Sequence, residues 1–273
     1  MRALPRSAVL AAWGGALLRG AAPADALGGV LPREEHHSVT GLGPDDPPCS
    51  PLVALGLLRR AGATGLALAL PVPGDPGGLA GPPPTNAAAL VAGEAVLAVG
   101  GPTTYALVPE VALRGSSLVE VSWRALPAQP PVLATTTLAE ADRQLKETLQ
   151  EATAELVRLD VARWRPEVAE ALAELRRGAG AQELPADYSP RARDVLTRAQ
   201  LLLGVADLAL ADPGGALSAG EIGLRGSALR GLAAAARRGV VCAVNSPLER
   251  VAAAAPATPT PQAAPRAVEG EAT

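Results

Sequence analysis

At Pro127, Pro130 and Pro131 the period of the apolar residues changes from two to helical, and that change limits the architectures open to this chain. Before it, Val119, Val121, Trp123 and Ala125 alternate with Glu120, Ser122 and Arg124, as in a strand with one buried face. After it, Leu145, Leu149, Ala152, Leu156 and Leu159 recur at alternating spacings of four and three, an apolar stripe along one helix. The expected fold class is therefore α+β: a small mixed sheet with flanking helices in the N-terminal half, followed by an all-helical C-terminal half of three to four helices. The expected boundaries are an α/β region over 1–128, a proline-rich linker over 129–136, a helical region over 137–250 and a disordered Ala/Pro/Thr-rich tail over 251–273.

Local signals fill in the elements. Ser50 and Pro51 give a cap and a first-turn proline for a helix that runs to Arg60 and stops at Gly62. Leu66 to Leu70 reads as a short buried strand, and a helix is expected from near Asn86 to near Gly100. Strands follow at Thr104 to Val111 and Ser117 to Leu126. Thr137 with Glu140, and Ser218 with Glu221, form capping boxes, and Ser189 with Pro190 opens a further helix. A break is expected at Trp164 and Pro166 with a continuation to Gly178, and the last helix is expected to end at Gly239. The segment from Glu34 to Gly41 is polar and ambiguous.

At the N-terminus, Arg2 and Arg6 precede an apolar stretch from Ala8 to Leu18, which has the outline of a signal peptide. Against that reading, Ser7 is a good N-cap, and Leu10, Trp13 and Leu17 share one helical face, so an amphipathic helix of a cytoplasmic protein is expected. No stretch approaches the ~20 apolar residues needed to span a bilayer.

Composition decides which chemistry is open. The chain has no Phe, one Ile and one Met, so its core must be Leu, Val and Ala. Two histidines (His36, His37), two cysteines (Cys49, Cys242) and one lysine (Lys146) leave little for thiol, zinc or amine chemistry. A formal charge of −3 and a pI near 5.5 argue against nucleic acid as a partner. Glu34, Glu35, His36 and His37 are the only cluster of metal-capable side chains, but adjacent histidines diverge on any regular backbone and no third partner stands at ligand spacing. A solvated polar turn is expected there, and no metal. Cysteines far apart and outside any CxxC pair fit a reducing compartment, each read as a small buried apolar residue. The loop from Leu210 to Glu221 has the outline of a calcium loop, but Leu210 and Gly214 stand where it needs oxygen ligands.

The run from Pro71 to Thr85 leaves a strand end and enters a helix N-terminus, which is where α/β folds collect anions. It lacks GxxxxGK and GxGxxG, so no cofactor is expected. The candidate ligand-binding groups are Asp75, Thr85, Asn86 and Glu94. Arg237 and Arg238 read as complements to a helix C-terminus.

The opening from Met1 to Gly20, the run Pro71-Val72-Pro73-Gly74-Asp75-Pro76, the segment Asn86 to Leu97 with Gly93 and Glu94, and the run from Leu159 to Pro166 together resemble a family of proteins from G+C-rich Gram-positive bacteria. No activity is assigned to that family, so the resemblance implies a bacterial, cytoplasmic setting and nothing catalytic. The chain is expected to be a non-catalytic binding or protein-interaction module whose partner is another protein or a small anionic ligand. The alternative is an enzyme using carboxylate and arginine chemistry, with its cleft at the Pro71–Glu94 segment.

Overall fold

The structure, a computed structural model, describes residues 4–43, 47–79, 81–114, 118–131, 136–158, 170, 173–174, 184–211 and 219–254. It is a mixed α+β fold with a five-stranded sheet in the N-terminal half and helices at the C-terminal end. The strands are β1 (Glu35–Thr40), β2 (Gly65–Ala69), β3 (Ala95–Val99), β4 (Thr104–Arg114) and β5 (Leu118–Ala128). Their order is β1-β5-β4-β3-β2, with β1 parallel to β5 and every other neighbour antiparallel. The ambiguous segment at Glu34 is thus a strand, not a turn. Its register sets His37 opposite Val121 and Val39 opposite Trp123, so its alternate residues enter the core while His36 stays exposed.

A helical run through Arg6–Val9, Leu10–Gly14 and Gly15–Leu18, here α1, widens to a π turn in its middle section. The helix expected to be amphipathic is instead buried on several sides: Ala8, Leu10, Ala12 and Ala16 are all 1% exposed or less, and Trp13 is only half-buried. Ser7 does not cap it. The Glu94 carboxylate does, accepting the Ser7 backbone N–H at 2.9 Å from 87 residues away.

After α2 (Ala26–Val30), α3 (Pro51–Arg60) starts as read, with Ser50 Oγ accepting the Val53 N–H at 3.4 Å. α4 (Pro83–Ala92) is shorter than expected. Gly93 takes φ +72°, which ends the helix in the left-handed region, and the apolar run after it becomes β3.

The C-terminal end contributes α5 (Leu138–Arg158), α6 (Pro190–Ala211) and α7 (Ala219–Ala254). The capping box at α5 forms as read: the Thr137 N–H donates to Glu140 Oε2 at 2.8 Å, and the Glu140 N–H donates to Thr137 Oγ1 at 3.3 Å. Gly239 does not stop α7, which continues to Ala254. A Cβ there would lie 3.0 Å from Ala199 of α6 and 3.6 Å from Leu145 of α5, so the glycine lets three helices approach closely. Pro247 also lies inside α7. It cannot donate to the Ala243 carbonyl, and Ser246 Oγ donates to that oxygen instead at 2.9 Å. The turn at Asp45, the break at Trp164 and Pro166, the cap at Ser218, most of the Leu210–Glu221 loop and the tail from 255 lie outside the described residues.

Three sets of polar contacts hold the helices to the sheet and to one another. Asn245 of α7 meets the outer edge of β2: its Oδ1 accepts the Leu68 N–H at 2.7 Å and its Nδ2 donates to the Leu68 carbonyl at 3.0 Å, all buried. The Tyr188 hydroxyl donates to the Val244 carbonyl at 2.7 Å, and Arg19, after α1, pairs with Asp187 at 2.7 Å. Between α5 and α6, Asp142 accepts from Arg198 at 2.5 Å and from Lys146 at 2.9 Å, with Arg191 at 3.5 Å. Burial opposes ionisation of Asp142, but the Lys146 hydrogen bond and these cations outweigh it and hold its pKa below the ordinary aspartate value.

Candidate functional site

Two adjoining cavities open where the sheet meets the helices. The larger, about 620 Å³, lies among the start of α1, the start of β1, the end of α4 and the facing sides of α6 and α7. Its polar lining is Arg6, Glu35, Glu94, Gln200, Asp207 and Arg237, set among Leu, Val and Pro. The smaller, about 260 Å³, lies between β2, the Pro71–Pro84 loop and α7, and is lined by Asp75, Arg237, Arg238, Cys242 and Asn245. Leu70 and Arg237 belong to both, so Arg237 stands at the partition.

The four residues singled out from sequence do not converge. Asp75 faces the smaller cavity, where its Oδ1 accepts the Gly77 N–H at 3.1 Å and its Oδ2 lies 4.0 Å from Arg237. Glu94 lines the larger one. Thr85 is buried and donates to the Pro127 carbonyl at 2.7 Å, which ties α4 to β5. Asn86 Oδ1 accepts the Gly81 N–H at 3.0 Å, closing the loop on itself. Neither lines either cavity.

One wall of the larger cavity rests on a hydrogen-bonded chain that sequence reasoning missed. Arg6 grips Glu35 with Nε at 3.0 and 2.9 Å from the two carboxylate oxygens, and with its Nη2 as well. The other face of Glu35 meets His37 Nε2 at 3.0 Å, and His37 Nδ1 meets Trp123 Nε1 at 3.1 Å. Indole N–H only donates, so His37 Nδ1 must accept, and the ring is the neutral Nε2–H tautomer that donates to Glu35. The signal was the alternation of His37 and Val39, which places both on the buried side of a strand.

Burial pushes the His37 pKa below 6.5, against the opposing pull of Glu35. A depressed folded-state value means that this stabilisation is complete above the unfolded pKa near 6.5 and is lost as the pH falls from there through the folded-state value. Urea melts between pH 7.5 and 5 should therefore show a steeper loss of stability for the native chain than for His37→Gln, which keeps both hydrogen bonds without a titrating ring. Equal slopes would remove His37 as the source.

Arg237 is a largely buried cation with a distant partner. Its side chain is 19% exposed, and its ion-pair partner among the described residues is Asp75, at 4.0 Å and outside hydrogen-bond reach. Burial, more than Asp75 compensates, disfavours its charge, and Arg238 beside it adds repulsion. Cys242 offers no nucleophile: burial pushes its thiol up to about 11, and its Sγ donates to the Thr136 carbonyl at 3.6 Å. Among the described residues, no three of His, Cys, Asp and Glu gather as a metal site, and no helix is long and apolar enough to cross a membrane.

Residues 7–141 match the sequence profile described as Rv1486c-like protein, N-terminal domain, and residues 139–241 match that of Rv1486c-like protein, C-terminal domain. No curated protein and no solved structure matches the chain.

Proposed function

We propose that this chain, which belongs to the two-domain Rv1486c-like family, binds a small organic anion in the cleft between its sheet and its helices, with Arg237 as the anchoring cation. The observation that carries this reading is the position of Arg237: largely buried, lining both cavities and, among the described residues, without a carboxylate in hydrogen-bond reach. A buried guanidinium is costly unless its donors are taken. A carboxylate or phosphate entering the cleft would take them, with Arg238 on the side of the smaller cavity and the Leu70 and Val240 side chains covering an apolar body. At about 620 Å³ the larger cavity has the size of a metabolite site.

In this reading the protein is a binding module rather than an enzyme, and it works in the cytoplasm. Asp75 and Glu94 stand in different cavities, so the two carboxylates singled out from sequence do not face one reacting atom, and the two free cysteines suit a reducing compartment. The α/β region over 1–128 and the helical region over 137–250 then act as the two walls of the cleft, joined at 129–136.

Thermal melts with millimolar phosphate, sulfate and citrate, at ionic strength matched with chloride, test this. At least one should raise Tm by roughly 5–10 °C, what the ~2.7 kcal/mol from binding at 100 times Kd gives at about 2–4 °C per kcal/mol. Arg237→Gln should abolish the shift while leaving the far-UV circular dichroism unchanged. An equal shift in the variant, or none beyond chloride in the native chain, would overturn the proposal.

A further inference from the structure

β4 and β5 pair along their whole length, from Thr104↔Ala128 to Arg114↔Leu118, but β3 covers only the first half of β4, with its last register pair at Val96↔Leu107. From Glu110 to Arg114 the strand is exposed and, among the described residues, has a strand on one side only. An edge of this kind is a template for another strand. Val111 is 49% exposed and Leu113 80%, on the face that carries Val121 and Trp123 further back. Glu110, Ala112 and Arg114 occupy the opposite face.

We infer that the Glu110–Arg114 edge pairs with the same edge of a second copy of this chain, antiparallel about a two-fold axis at Ala112. In that register the five residues are self-complementary: Val111 lies opposite Leu113 of the second copy, Glu110 opposite its Arg114, and the small Ala112 opposite itself. The charges also continue a pattern inside each chain, where Glu110 pairs with Arg124 at 2.6 Å and Arg114 with Glu120 at 2.6 Å. Across the junction the row reads Arg124, Glu110, then Arg114 and Glu120 of the second copy, alternating in sign. A shift of one residue either way sets Val111 against Arg114, or Glu110 against Leu113, so the pattern selects one register.

The paired edge is short, so the association is concentration-dependent rather than obligate. Sedimentation equilibrium of the full chain from about 1 to 100 µM should show the mass rising from 27.4 kDa towards twice that value. Glu110→Arg alone and Arg114→Glu alone each set like charges across the axis and should raise the dissociation constant at least about tenfold. An equimolar mixture of the two single variants restores opposite charges at both positions, and its association should return. Both substitutions are on an exposed surface, so the fold is kept. A monomer at every concentration, single variants that associate like the native chain, or a mixture that stays monomeric would each overturn the inference.

Discussion

Trp123→Ala is expected to lower the free energy of unfolding by about 3–5 kcal/mol, the largest single effect in this chain. Trp123 is 0% exposed on β5, between β1 and β4, and in a core without phenylalanine few side chains fill comparable volume. Its loss opens a cavity and leaves His37 Nδ1 buried without a donor. Trp123→Phe separates the two effects. It keeps most of the apolar volume and removes the N–H, and should cost about 1–3 kcal/mol for the unsatisfied acceptor. Urea unfolding followed by far-UV circular dichroism measures both. A loss below about 1.5 kcal/mol for Trp123→Ala would mean that the sheet does not depend on this ring.

Asn245→Ala should cost about 2–4 kcal/mol, because it strands two buried main-chain groups at once. β2 is an edge strand, and the Leu68 N–H and carbonyl point away from β3 towards α7. The amide side chain supplies the acceptor and donor that a sixth strand would otherwise supply. Since one partner is an N–H and the other a carbonyl, its orientation is fixed. Hydrogen exchange gives a local readout: the Leu68 amide should lose protection far more than amides of the β4–β5 ladder. If all amides of the chain accelerate equally, the contact is no more than one part of a general loss of stability.

Much of the fold was legible where local chemistry decides it. The alternation in β5, the capping box at Thr137 and Glu140, and the Ser50-Pro51 start of α3 needed no distant partner, and all three form. The misreadings fall where a distant partner decides. β1 is ordered by pairing with β5, about 85 residues away, and its Glu-His-His-Ser run carries no β-branched signal. The Asn86–Gly100 segment is apolar at nearly every position, so periodicity could not separate a helix from a strand, and Gly93 was the cue to the break. Gly239 stood for a stop because nothing near it in sequence shows that Ala199 will lie against it.

That last misreading also hid part of the candidate site. Ending α7 at Gly239 made Arg237 and Arg238 complements to a helix terminus. In a helix that runs on to Ala254 they lie mid-helix, facing the cleft, and Asp75 is the one sequence candidate that meets them.

The Asn245 contact also has a consequence for synthesis. Leu68 leaves the ribosome 177 residues before the side chain that covers it, an interval of roughly 10–35 s at bacterial or eukaryotic elongation rates. Throughout that interval the five-residue strand around Leu68, apolar at every position but Gly65, can pair with β3 but has its other side bare. The nascent chain therefore presents an adhesive strand before it presents its cover, so the vulnerable period of this protein is its birth rather than its mature life, and slowing translation between residues 70 and 245 lengthens that period.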